Sequence, residues 1–163
     1  MDKPEIICID DQREVLAAMT RDLESLRPMV EITACESADE AGEVLEELEA
    51  EGKPVALLIC DHIMPGQNGI DFLIDVAADP GRFPHLKKIL LTGLATHQDT
   101  ITAINRAAID RYLEKPWERE TLLEAVRALL TEFIMRSGMD PEPFQAIFDT
   151  PTYLREARRR GGV

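Results

Sequence analysis

Six consecutive apolar residues, Val55–Cys60 (VALLIC), stop abruptly at Asp61. So short an uninterrupted run is the pattern of a strand covered on both faces; a strand with one face in water alternates. Such a strand requires a layer on each side of its sheet, and the rest of the chain supplies them. Glu5–Ile9 is a β-rich run ending in Asp10 and Asp11. Val15, Leu16, Met19, Leu23 and Leu26 then recur at helical spacing until Pro28. Residues 30–35 read as a second strand. Ser37 and Glu40 read as the capping box of a helix with Ala41, Val44, Leu45 and Leu48 on one face, ended by Gly52. After Asp61, a loop with Pro65, Gly66 and Gly69 leads into a short helix through Phe72, Leu73 and Val76, and Pro80, Gly81 and Pro84 make a turn. Residues 88–91 form a fourth strand running into Thr92. A helix over 97–108 is expected to turn Ile101, Ile104 and Ala108 inward. Residues 109–113 form a fifth strand ending at Glu114, Lys115 and Pro116. The last long helix, about 118–135, is expected to bury Leu122, Leu123, Val126, Leu129, Leu130 and Phe133.

Strict β-α alternation, five times over, implies an α/β fold: a (βα)5, doubly wound, five-stranded parallel sheet with helices on both faces, in the order 2-1-3-4-5. Residues 1–136 make this domain, and 137–163 are left as a C-terminal extension. A chain of 163 residues can bury a core of this size without disulfides. Cys8, Cys35 and Cys60 sit in or beside apolar runs, as reduced thiols of a cytoplasmic protein would. No charged-then-apolar leader opens the sequence and no apolar run approaches ~18 residues, so neither secretion nor a membrane partner is expected. The net charge is -13. The extension is neutral, with Asp140, Glu142, Asp149 and Glu156 set against Arg155, Arg158, Arg159 and Arg160, so the imbalance lies in residues 1–136. A body so acidic repels phosphate backbones, and direct nucleic-acid binding is not expected.

In open α/β sheets the chemistry gathers at the carboxyl ends of the strands. Here those ends carry Asp10 and Asp11, then Asp61, then Thr92, then Lys115. With strands 1 and 3 adjacent, the three carboxylates converge, at a cost unless a cation joins them. Hard, anionic, oxygen-only ligands suit Mg²⁺. Lys115 adds an ammonium and Thr92 a hydroxyl, which suits the pocket to a phosphoryl group.

Four segments, in order, carry a resemblance. They are Ile6–Asp11 (IICIDD), Asp61-His62-Ile63-Met64-Pro65-Gly66 with Gly69, Leu91-Thr92-Gly93, and Tyr112-Leu113-Glu114-Lys115-Pro116-Trp117. Together they resemble the receiver domain of two-component response regulators, the CheY-like, flavodoxin-like modules, over residues 1–136. The resemblance implies that Asp61 accepts a phosphoryl group from a histidine kinase or phosphotransfer protein. It implies that Asp10, Asp11, Asp61 and the backbone carbonyl of Ile63 hold Mg²⁺, that Lys115 binds a phosphoryl oxygen, and that Thr92 closes on another. Tyr112 becomes the aromatic switch, the bond before Pro116 is cis, and the face of the fourth helix, fifth strand and fifth helix changes partners or dimerises. Such a domain is a phosphoacceptor with slow chemistry, not a turnover enzyme. Two residues beyond the acceptor and the threonine stand Ile63 and Leu94, apolar and unable to align a hydrolytic water.

Other readings stay open. Asp10 and Asp11 taken alone suit a helix N-terminus, Asp61 a turn, and Lys115 a solvated surface. Tyr112 could simply pack. His62, His85 and His97 read as packing or surface residues, Met64 as loop packing, and Trp117 as an anchor for the last helix. The Glu-rich helix 38–51 reads as a solvated face. A haloacid dehalogenase-type phosphatase would want Asp-x-Asp after the first strand, where this chain has Asp10-Asp11-Gln12. A phosphorylation-independent interaction module would be missing a site residue. In the extension, Gly138 reads as a helix stop and residues 140–143 as a turn. Phe144, Ile147 and Phe148 form a short amphipathic turn, and Thr150-Pro151 reads as the cap and opening of a helix with Tyr153, Leu154 and Ala157 on one face. That segment is a docked helix, a linker stub, or a partner-binding or dimerising element.

Overall fold

A computed structural model describes residues 2–93 and 97–161. Strand and helix alternate as β1 (Glu5–Ile9), α1 (Arg13–Asp22), β2 (Glu31–Cys35), α2 (Ala38–Ala50), β3 (Val55–Cys60), α3 (Gly69–Ala77), β4 (Lys87–Leu91), α4 (His97–Arg106), β5 (Arg111–Leu113) and α5 (Arg119–Ser137). A 3-10 turn, Glu142–Ile147, and α6 (Thr150–Arg160) follow. The five strands lie in the order β2-β1-β3-β4-β5, each parallel to its neighbours. Every residue of β1, β3 and β4 is buried, which is why those runs carry almost no alternation.

The sheet divides the core by side-chain parity. Ile6, Cys8, Leu57, Ile59, Ile89 and Leu91 pack with residues of α1 and α5. Ile7, Ile9, Leu58, Cys60 and Leu90 pack with residues of α2, α3 and α4. A register shift between Glu5 and Ile6 against β3 puts Ala56 and Leu57, neighbours in sequence, on the same side.

Local signals set the helix ends. Ser37 accepts from the Glu40 amide, while the Glu40 carboxylate reaches back to the Glu36 amide, one residue beyond the capping-box partner. Gly138 ends α5 in the left-handed region, at φ 84°. Two expectations need correction. In α4, Ile101 and Ile104 are exposed and Ala108 lies outside the helix at φ 55°; Ala103 is the buried residue of the helix, and Ala107, just past its end, is buried below it. Ala103 and Ala107 join the α2/α3/α4 half of the core, and the isoleucines lie on the opposite, exposed face. In the extension, Asp149 rather than Thr150 caps α6, accepting from the Thr152 amide, and Leu154 is exposed while Thr152 and Glu156 turn inward.

The extension is docked. Phe144, Ile147 and Phe148 are buried in the α1/α5 half of the core, and Phe148 stacks on Tyr153 at 5.3 Å between ring centroids. Arg127 of α5 donates to the carbonyls of Ile147 (3.0 Å) and Phe148 (2.8 Å), and the Asp149 amide donates to Thr131 Oγ1 at 2.9 Å. Glu156, 1% exposed, receives Arg136 at 3.0 Å and Arg159 at 3.1 Å. A buried carboxylate is tolerated only when its charge is matched this way. Among the described residues no helix is long and apolar enough to cross a membrane.

Arg136 holds the Glu156 carboxyl below its ordinary value of 4.5. A depressed folded-state value means the pair's stabilisation is complete above that ordinary value and is lost as pH falls through the depressed one. Glu156→Gln should therefore lower unfolding stability by about 1–2 kcal/mol at neutral pH. Denaturant titrations should show the gap to wild type closing as the solution is acidified below the ordinary glutamate range.

Candidate functional site

Sheet register assembles the site. Ile9 pairs with Cys60 on one side and Cys35 on the other, so Asp10 and Asp61 emerge side by side. Backbone bonds fix both: the Asp61 amide donates to the Ile9 carbonyl at 2.9 Å, and the Asp10 amide to the Cys35 carbonyl at 3.1 Å. Leu91 pairs with Leu113, and the Thr92 amide donates to the Leu113 carbonyl at 3.1 Å, which brings the ends of β4 and β5 to the same edge.

At that edge one carboxylate oxygen from each of Asp10, Asp11 and Asp61 lies within 4.8 Å of the others. Asp10 is fully buried, Asp61 nearly so, and Asp11 is exposed. Lys115 Nζ stands 2.5 Å from Asp10 Oδ2 and 3.3 Å from Asp61 Oδ1. Asp10 Oδ1 also accepts from the Gln12 amide at 2.9 Å. Burial raises the Asp61 carboxyl pKa and Asp10 adds to the rise, while Lys115 opposes it. Burial works against the Lys115 ammonium, but the hydrogen bond and charge of Asp10, with Asp61, raise its pKa overall. One ammonium against three carboxylates leaves an excess of negative charge. The donors are all hard oxygens, and exposed Asp11 leaves a side open to water, a set that fits Mg²⁺.

Close packing holds the loop after Asp61. The Gly69 amide opens α3 by donating to the His62 carbonyl at 2.7 Å, and Asn68 caps the helix through the Asp71 amide at 2.8 Å. A Cβ built on Gly69 would lie 1.7 Å from the Asp61 carbonyl oxygen. Glycine is therefore required here by contact, since a side chain has no room. Cys60 Sγ donates to the same carbonyl at 3.2 Å.

The remaining sequence-predicted residues fall as follows. Thr92 is buried at the end of β4. The Lys115–Pro116 bond is cis. Tyr112 is half-buried on the α2/α3/α4 side of the sheet, while Leu113 faces the α1/α5 side. The Ile63 side chain is half exposed on the loop after Asp61. Leu94 lies outside the described residues. Trp117 Nε1 donates to Asp22 Oδ2 at 2.9 Å, tying the approach to α5 to the end of α1. Sequence reasoning missed the place of His62. It is buried directly after Asp61, with Nε2 3.3 Å from Asp99 Oδ2 in the first turn of α4. No periodicity or spacing connects those two residues along the chain, so nothing in the sequence pointed to the contact.

Comparison with known proteins agrees with this geometry. The family model described as response regulator receiver domain matches residues 6–127. The hydrogenase transcriptional regulatory protein HoxA of Cupriavidus necator is 31% identical over 155 residues, 95% of this chain and 30% of its own length. The chain thus spans less than a third of that relative. The signal receiver domain of an HD domain-containing protein from Pseudomonas fluorescens Pf-5 superposes with a TM-score of 0.69 at 28% identity, covering 82% of this chain and 90% of that one. A CheY-like response regulator receiver domain protein from Methanospirillum hungatei JF-1 gives 0.67 at 27% identity, covering 80% and 96%.

Gly69→Ala should force the Asp61 backbone and the start of α3 apart. Unfolding titrations should show a loss of about 1–3 kcal/mol, the usual range for overpacking. Calorimetric titration with Mg²⁺ should show weaker binding than in wild type.

Proposed function

The chain belongs to the response regulator receiver family, and from that premise we propose that it is a phosphorylatable signalling module with Asp61 as acceptor. The observation that carries this reading is the convergence of Asp10, Asp11 and Asp61 within 4.8 Å, with Lys115 bridging Asp10 and Asp61. A carboxylate oxygen of Asp61 attacks phosphorus of a phosphohistidine on a histidine kinase or phosphotransfer protein. The new P–O bond forms as the P–N bond breaks, and the departing imidazole takes a proton from solvent. Lys115 is close enough to exchange its bond to Asp61 for one to a phosphoryl oxygen, and the Thr92 hydroxyl stands at the neighbouring strand end. Mg²⁺, held by Asp10, Asp11, Asp61 and the Ile63 carbonyl, would supply charge neutralisation for the transferring group. The protein acts as an acceptor and not as a turnover enzyme, in the cytoplasm. Its response runs through Thr92 and Tyr112 to the face of α4, β5 and α5, where Ile101 and Ile104 are already exposed for a partner.

Incubation with acetyl phosphate and Mg²⁺ should add about 80 Da to the intact mass, the size of one phosphoryl group. The gain should vanish in Asp61→Asn and with a chelator; a gain kept in either case contradicts the proposal.

The phosphorylated state should be long-lived. Ile63, 50% exposed beside the acceptor, is apolar and cannot hydrogen-bond a water into line with phosphorus. Positioning carries much of phosphoryl-transfer catalysis. Loss of phosphate from the purified phosphoprotein should accelerate about tenfold in Ile63→Asn with Leu94→Glu, as polar side chains there can orient the attacking water.

A further inference from the structure

Two surfaces on opposite sides of the sheet complement one another. The first is a groove of about 420 Å³ between α2 and α3. Its rim carries Asp39, Glu43, Glu46 and Asp75, and its floor is the buried pair Phe72 and Val76. Asp39, Glu43 and Glu46 form no ion pair among the described residues. Gly42 lies along the same groove, inside α2, and a Cβ built on it would meet nothing within 4 Å. A glycine within a helix is destabilising relative to alanine, and no packing within this chain requires one here. What the missing side chain does provide is close approach by something from outside.

The second surface is the outer face of α6. Leu154 is 52% exposed, with exposed Arg158 one turn on at i+4; Arg155 is exposed on the flank of the helix, along the cleft between α6 and α5. Neither arginine forms an ion pair or hydrogen bond among the described residues; Glu156 and Arg159 make the pairs that dock the helix. In a chain of net charge -13, this is one apolar knob flanked by two unmatched cations. The groove offers an apolar floor, a vacant helical position and three carboxylates without an ion pair, Asp39, Glu43 and Glu46; the one cation lining it, Arg82, is already paired with Glu49 at 3.0 Å, and Asp75 accepts from Gln67. Helix α6 is fixed on α5, on the α1/α5 side, and the groove lies on the α2/α3/α4 side. The sheet stands between them, so one molecule cannot close the contact on itself.

We propose that the α2–α3 groove receives the Leu154–Arg155–Arg158 face of α6 from a second copy of this chain, so that copies associate head to tail. Such a contact joins different surfaces of the two partners, and it leaves the strand-end site and the exposed isoleucines of α4 uncovered. Its attraction is largely between exposed charges, so it weakens as salt rises.

Sedimentation equilibrium on the full chain tests this. Wild type should associate with rising concentration at low salt and dissociate toward monomer at about 0.5 M salt. Arg155→Glu with Arg158→Glu should weaken association at least tenfold, and so should Glu43→Arg with Glu46→Arg. Mixing these two variants should restore it, because each then supplies the surface the other needs. Gly42→Leu should melt no lower than wild type, since it removes a helix-interior glycine, yet associate at least tenfold more weakly. A wild type that stays monomeric throughout would overturn the proposal. So would association indifferent to the charge reversals, reversals that fail to complement on mixing, or a Gly42→Leu variant that associates normally.

Discussion

The ion cluster of Lys115 with Asp10 and Asp61 is the interaction on which the carboxyl end of the sheet depends. Two carboxylates buried side by side repel, and backbone bonds at the ends of central strands fix where each one starts. The ammonium from the end of β5 lies between them and relieves the repulsion without cancelling all the negative charge. What is left is a rigid site with an excess of negative charge and one solvent-facing carboxylate, Asp11. The parallel topology brings these groups together from residues far apart in sequence, so fold and chemistry rest on the same register.

Buried charge is handled the same way elsewhere. Lys87, at the start of β4, is matched by Glu132 of α5 at 2.8 Å, with Asp110 at 3.9 Å. Glu156 of α6 is matched by Arg136 and Arg159. Glu132 and Arg136 are themselves 3.2 Å apart, so one chain of charges runs from the sheet through α5 to the extension. Helix α5 is thus held from two sides, by the sheet and by residues 144–160. A contact of 3.3 Å between His62 Nε2 and Asp99 Oδ2 also joins the loop after Asp61 to α4, between elements distant in sequence.

Much of this was legible in the sequence, for physical reasons. Unbroken apolar runs such as Val55–Cys60 mark strands covered on both faces, and the acids that end them mark the strand ends where groups gather. Parity within each strand then decides which face a residue joins. The orientation of α4 was not legible. Ile101 and Ile104 suit a buried stripe by hydrophobicity, yet it is Ala103 and Ala107 that enter the core, and hydrophobic periodicity does not register such small side chains as a stripe. The inward turn of Glu156 in place of Leu154 was equally hidden, since a buried carboxylate is stable only with Arg136 of another helix beside it. Gly69 was visible as part of a motif, but its reason, the contact with the Asp61 carbonyl, appears only in three dimensions.

The central claim is that Asp61, among three converging carboxylates, forms the acyl phosphate. Borohydride reduces an acyl phosphate to an alcohol and leaves free carboxylates intact, so it would convert a phosphorylated aspartate to homoserine. Peptide sequencing by mass spectrometry after treatment with acetyl phosphate and Mg²⁺, then borohydride, should find homoserine at position 61 and aspartate at positions 10 and 11. Homoserine at position 10 or 11, or at none of the three, would contradict the account.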